Sequence, residues 1–180
     1  MRVAVIGSSG SGKTTFAARL AAARNVPHID LDAITWQPGW VALHETDPDE
    51  FLRRCQAAMA GDAWVSCGNY VRRPGLLERV THLVWLDYSR PVVMGRVIWR
   101  SFTRALTNEE LWPGPGNRET FARWPDKGHP IRWAWDTYGR RKAQYDALFA
   151  SPELTGMATF RLRHPSEAEG LMASLSSAKP

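Results

Sequence analysis

At 180 residues, with 44% hydrophobic and 23% charged content, the chain has the length and mix of one ordinary soluble domain, able to bury roughly two thirds of its unfolded surface without covalent staples. No apolar run approaches the roughly 18 residues of a membrane span, and Met1-Arg2-Val3-Ala4-Val5-Ile6 turns polar too soon for a secretion signal, so the sequence points to the cytoplasm. The net charge of +5 suits nucleic acid or a small anion, but the basic residues concentrate between Arg90 and Lys142 without a run of five like charges, which favours local phosphate handling. Cys55 and Cys67 stand in no metal-like spacing and neither do the five histidines, so neither a disulfide nor zinc is expected.

Arg2 to Ile6 is a short apolar run ending in a glycine loop, the pattern of a buried parallel strand. From Lys13 to Arg24, Phe16, Ala17, Leu20 and Ala21 recur at helical spacing, and Asn25 with Pro27 stops the helix. Val26 to Ile29 is a second strand. Asp47-Pro48-Asp49-Glu50 joins a capping acid, a first-turn proline and a glutamate three residues after the cap, so a helix with Phe51, Leu52, Cys55 and Met59 on its apolar face runs toward Gly61. Ala63–Cys67 and His82–Leu86 are further strands. A helix from Ser89 carries Val93, Val97, Ile98 and Phe102 as apolar positions.

Thr107 to Gly128 has no sustained periodicity and holds Pro113-Gly114-Pro115-Gly116, then Pro125, which marks an irregular insertion of the kind that serves as a lid. Helical character resumes from Ile131 to Ala150, Ala158–Leu162 is a fifth strand, and Ser166–Leu175 a last helix. Strands alternating with helices predict an α/β fold, a parallel sheet with helices on both faces, in a single domain over 1–180.

Gly7-Ser8-Ser9-Gly10-Ser11-Gly12-Lys13-Thr14 is a complete phosphate-binding (Walker A) loop between a strand and a helix. Glycines let successive N–H groups turn toward phosphate oxygens, and the helix beginning at Lys13 adds the positive end of its dipole. Lys13 brings a full charge to the β and γ phosphates of ATP, the Thr14 hydroxyl suits Mg2+, and Ser8, Ser9, Gly10, Ser11 and Thr15 complete the donor-binding set. A chance match has odds on the order of 0.5% in a chain of this length. A dinucleotide-binding loop would have no use for the lysine-threonine pair.

Asp30 and Asp32 close the second strand, two residues apart and so on one side if the strand continues. Either could hold a magnesium-bound water or accept the proton of a substrate hydroxyl, and the reading favours Asp32 as metal and catalytic acid. Arg96, Arg100 and Arg104, spaced by four, form a guanidinium stripe able to clamp phosphates, the first two most directly. Among Arg140, Arg141 and Lys142, Arg141 is the candidate to close over the phosphates from the far side. Trp36 and Trp40 are candidates to border an acceptor pocket, and Gly68-Asn69-Tyr70 lets a substrate approach the backbone.

With these residues in view, the chain resembles the small P-loop kinases related to adenylate kinase, most closely the bacterial adenylate-kinase-related group called topology modulation proteins. The motifs carrying the resemblance are the P-loop, Leu31-Asp32 with Trp36 and Pro38-Gly39-Trp40, Trp64-Val65 with Gly68-Asn69-Tyr70, Gly116-Asn117-Arg118-Glu119, and Arg140-Arg141-Lys142 with Tyr145. It implies a P-loop NTPase fold with a five-stranded parallel sheet and a lid insertion, an ATP site, Arg96 and Arg100 before the lid, and Arg163 to Ser166 bordering the adenine. Relatives often carry aspartate at the place of Cys67, so one carboxylate near the magnesium is missing and Asp32 is more heavily loaded.

The expectation is therefore a Mg-ATP-dependent phosphotransferase acting on a small hydroxyl- or phosphate-bearing acceptor, such as a nucleoside or nucleotide. The alternative is a nucleotide-binding regulatory protein associated with DNA, without kinase activity, and a plain ATPase is a third. No helix-turn-helix or zinc pattern supports contact with nucleic acid.

Overall fold

A computed structural model of the protein describes residues 1–112 and 114–177. Strand β1 (Arg2–Gly7) buries all but its first residue and runs directly into the glycine loop. Helix α1 (Lys13–Arg24) starts where Gly12 turns left-handed at φ +92° and stops where Asn25 does the same at φ +51°, its N–H donating to the Ala21 and Ala22 carbonyls. Strand β2 (His28–Asp30) is three residues long. The strand does not continue to Asp32, because the Asp30 carboxylate accepts the N–H of Asp32 at 2.9 Å, capping a short helix α2 (Leu31–Thr35).

A hairpin of β3 (Trp36–Gln37) and β4 (Val41–Ala42) and a single turn α3 (Leu43–Thr46) follow, none of them signalled by periodicity. Helix α4 (Pro48–Ala58) begins on the anticipated cap, Asp47 accepting from the Glu50 N–H at 3.0 Å. It ends before Gly61, with the Arg79 guanidinium taking the carbonyls of Ala60 and Gly61 at 2.7 and 3.2 Å. After β5 (Trp64–Cys67) and β6 (His82–Leu86), helix α5 (Arg90–Thr107) buries Val93, Val97 and Ser101. Of its four apolar positions, Ile98 and Phe102 are 44% and 40% exposed, since the helix packs through its Val93–Val97 side.

After α5, residues 108–112 and 114–128, nearly the expected span from 107, form an irregular insertion joined by a Glu110–Arg118 bridge; Pro113 of the expected proline-glycine cluster lies outside the described residues. The Glu110 carboxylate holds it by accepting the N–H groups of Gly114 and Gly116 at 2.9 and 2.8 Å. Helix α6 (Pro130–Phe149), strand β7 (Ala158–Leu162) and helix α7 (Pro165–Ser177) complete the chain.

Five strands form one parallel sheet in the order β2-β5-β1-β6-β7. Alternation along β1 sends Val3 and Val5 toward Phe16 and Leu20 of α1 and Met172 of α7, while Ala4 and Ile6 meet the layer holding Phe51, Tyr145 and Leu148. Both faces are thus covered, which is why these strands read as near-continuous apolar runs. From central β1 the connections part, first to β2 on one flank and later to β6 and β7 on the other, and the crevice at such a point receives ligands. No helix among the described residues is long and apolar enough to cross a membrane.

Candidate active site

A cleft of about 1150 Å³ opens over the carboxyl edge of the sheet. Ser9 to Thr15 form its floor, Asp30 and Asp32 one wall, Arg96, Arg100 and Arg104 another, and the insertion with Trp133 and Arg141 of α6 faces them.

The loop's shape demands its glycines. At Gly10, φ +86°, a Cβ would stand 2.6 Å from the Val93 carbonyl oxygen and 2.9 Å from Val97 Cβ, so the loop lies directly on α5. Gly12 caps α1 without a side-chain partner and the first turn carries no acid, which leaves the positive helix end open to an anion. The Asn69 side chain braces the loop from β5, its Oδ1 accepting the Gly7 N–H at 3.3 Å.

Lys13 is only 8% exposed and its ammonium donates to the Ser8 carbonyl at 3.1 Å, curled back over its own loop. Burial lowers its proton affinity, and the Asp32 carboxylate works against that. Across the cleft, burial pushes the Asp32 carboxyl above the usual carboxylate range, with Lys13 opposing, Asp30 adding to the rise, and a Tyr70 hydrogen bond and Arg141 opposing. The ammonium and the carboxylate therefore stabilise each other's charged forms in a partly dry site.

From α5, Arg96 donates to the Ser11 carbonyl at 3.1 Å with its guanidinium 5.2 Å from the Tyr88 ring centre, and Arg100 donates to Ser9 Oγ at 3.4 Å. One helical turn on, Arg104 instead donates to the buried Glu119 carboxylate at 3.1 Å. The i, i+4 spacing thus puts two guanidiniums on the phosphate loop and leaves the third tied to the insertion. Arg141 lines the cleft and donates to the Tyr145 hydroxyl at 3.4 Å, while its buried Nε has no partner among the described residues.

The neighbouring basic residues go elsewhere. Arg140 is exposed, and Lys142 holds Asp87 at 2.8 and 2.9 Å together with Arg161. Arg163, expected at the adenine, lines a separate depression of about 370 Å³ with Asp87 and Tyr138; the segment's Pro165 and the following Ala168 line the main cleft. Chain direction explains the split, because Arg163 leaves β7 before α7 turns back over the cleft.

Cys67 ends β5 with its sulfur 3.7 Å from the Thr14 hydroxyl and 3.5 Å from His28 Nε2. Burial pushes the thiol up to about 12, so in the metal-free site it stays protonated at neutral pH. No group of three or more histidine, cysteine or acidic side chains suited to a metal occurs among the described residues. A hydroxyl at Thr14 and carboxylates at Asp30 and Asp32 nevertheless fit Mg2+, which takes oxygen ligands, keeps several waters and arrives with substrate phosphates.

Sequence reasoning missed Trp112, Glu119, Arg123 and Trp133, all of which line the cleft. For Glu119 a signal existed in the Gly-Asn-Arg-Glu run; Trp112 and Arg123 show none, because they enter the site through an insertion without periodicity, and Trp133, on α6, lies on a helix whose spacing does not say which side faces the cleft.

Neither a family model nor a curated protein matches the chain. Solved structures do. A shikimate kinase from Bacteroides thetaiotaomicron superposes with a TM-score of 0.55 at 16% identity, over 97% of this chain and 95% of that one. A shikimate kinase from Acinetobacter baumannii, solved with shikimate, gives 0.54 at 15% identity over 97% and 89%. A sugar kinase from a Janibacter species gives 0.51 at 20% over 96% and 90%. At such identities the likeness is one of architecture: the chain shares the fold of these structures, α/β with a five-stranded parallel sheet.

Proposed function

We propose that the protein is a Mg-ATP-dependent phosphotransferase acting on a small hydroxyl- or phosphate-bearing acceptor. The observation that carries this reading is the buried Lys13 ammonium in its glycine loop, electrostatically coupled to the Asp32 carboxylate on the opposite wall. Beyond a phosphate loop, a kinase needs a carboxylate in the same cleft to take the acceptor hydroxyl's proton, and Asp32 stands there.

The loop N–H groups and Lys13 hold the β and γ phosphates. Arg96 and Arg100, already on the loop, meet the charge that spreads over the transferring group. Asp32 takes the acceptor proton as the new oxygen–phosphorus bond forms and the bond to the leaving diphosphate oxygen breaks. Arg141 approaches from the acceptor side. Thr14 directly, and Asp32 through a magnesium-bound water that leaves its carboxylate basic, would hold magnesium, which when bound neutralises phosphate charge, and residues 107–128 serve as the lid of the single domain.

The motifs shared with the adenylate-kinase-related topology modulation group favour placing the chain beside it, in the cytoplasm. The likenesses to solved structures bear on the fold and leave that finer grouping to the motifs.

ATP consumption by wild type and Lys13→Ala, measured with and without candidate acceptors found by thermal shift, tests the reading. At a hundred times its dissociation constant a ligand adds about 2.7 kcal/mol, enough to detect by melting. Acceptor-dependent turnover lost in the variant supports it. Duplex DNA binding at physiological salt without such turnover would favour the regulatory alternative.

A further inference from the structure

Two of the sequence's unexplained motifs meet in space. Asn117 of the insertion is 3% exposed, its Oδ1 accepts the Trp40 N–H at 3.0 Å, and its amide nitrogen donates to the Gln37 carbonyl at 3.0 Å. One side chain therefore bonds both ends of the Pro38-Gly39-Trp40 turn. The turn needs the brace, since Gly39 and Trp40 sit at φ +72° and +64°, and for a tryptophan the left-handed region is costly.

The strained residue faces the cleft. Trp36 and Trp40 meet edge to face with centres 5.8 Å apart at 69°, and Trp40 meets Trp112 of the insertion at 6.3 Å and 76°. All three line the cleft and all are only half-buried. The Trp112 indole N–H donates to Asp30 at 3.3 Å, and Asp30 in turn caps the backbone of Asp32, so the wall is joined to the acid. Arg123 lies 4.9 Å from the Trp40 ring centre and fixes that ring further.

We propose that Trp36, Trp40 and Trp112, positioned by Asn117, form the acceptor-recognition wall and select an acceptor whose hydroxyl is carried beside a flat aromatic or heteroaromatic ring. Rings at near-right angles make a corner offering a face to stack on and an edge to meet, the two geometries aromatic rings favour. A non-aromatic ring can lay C–H groups on one face of the corner but has no π face to offer the neighbouring edge. Backbone strain and a buried amide spent on one exposed-edge tryptophan are hard to explain by packing alone. This inference rests on the kinase reading for the hydroxyl and on the wall alone for the ring.

The test is calorimetric binding of thymidine, pyridoxine, shikimate and glucose to the full chain with magnesium and a non-hydrolysable ATP analogue, together with turnover in ATP. The alcohols with an aromatic or heteroaromatic ring should bind, and the two with non-aromatic rings should not. Trp40→Leu should weaken that binding about tenfold, the scale of a lost ring stack, while Trp40→Phe restores most of it. Asn117→Ala should weaken the same ligands, with analogue affinity unchanged in every folded variant. Preference for shikimate or glucose, binding by none of the four, or equal binding by folded Trp40→Leu would overturn the proposal. Trp40-dependent binding without phosphoryl transfer would sustain the wall and sink the kinase reading; transfer to glucose without Trp40 dependence would do the reverse.

Discussion

The two halves of the cleft are built on different plans. The donor half is eight consecutive residues, shaped by left-handed glycines and set between one strand and one helix. The acceptor half is assembled from the hairpin near residue 40, the insertion near residues 112–123 and Arg141 of α6, held together by side chains such as Asn117 and Glu119. On the proposed reading, the donor half works through backbone geometry and positive charge that any nucleoside triphosphate satisfies, whereas the acceptor half works through side-chain shape. Generic chemistry sits on local sequence here, and specific chemistry on long-range contacts.

The sharpest way to break this contrast is at Lys13. Lys13→Ala should cut acceptor-dependent ATP turnover about 10³-fold, the scale of losing a principal charge stabiliser, with little change in melting temperature. Near wild-type turnover from the variant would mean that the donor half does not work as described.

Asp32→Asn comes next, with a loss of about 10²-fold in kcat if the carboxylate is the base. Its proton affinity adds a pH signature. Because the folded carboxyl lies above its ordinary 3.8, the nucleotide-free protein draws stability from it below that value and loses it as pH rises through the folded value. Melting curves across acid pH should show that decline in wild type and not in Asp32→Asn. The base must be ionised to act, so the acid limb of kcat should also fall at higher pH than an ordinary aspartate gives; identical limbs in both proteins would remove Asp32 from the role.

The reach of the sequence follows the same division. The strands His82–Leu86 and Ala158–Leu162, helix Lys13–Arg24 and the Asp47 cap were readable because their signals are local: apolar runs, helical spacing and capping chemistry. Asp30 and Asp32 were identified as site residues, but on a strand that Asp30 itself ends by capping α2. Ile98 and Phe102 showed helical spacing yet lie outside the core, since periodicity marks an apolar stripe without saying which part of it the sheet covers. Trp112 had no local signal, and the Gly-Asn-Arg-Glu run marked Asn117 without saying what it braces, because their partners are about 80 residues away in the chain.

Two smaller effects sharpen the boundary between the halves. Cys67→Asp sets a carboxylate beside the Thr14 hydroxyl, and should lower the Mg2+ concentration for half-maximal turnover by roughly tenfold, in line with metal-orienting partners elsewhere. An unchanged magnesium dependence would place the metal away from β5. Arg163→Ala should change the KM for ATP by no more than about twofold, as expected for a surface residue facing a separate depression. A larger rise would return Arg163 to the adenine edge.

The most direct test of the whole account follows the γ-phosphate itself. With γ-labelled ATP, magnesium and an acceptor retained by the tryptophan wall, label should appear on the acceptor with wild type and vanish with Lys13→Ala. Label released only as free phosphate whatever acceptor is present, or transferred equally by the variant, would contradict the assignment of one half of the cleft to a donor and the other to an acceptor.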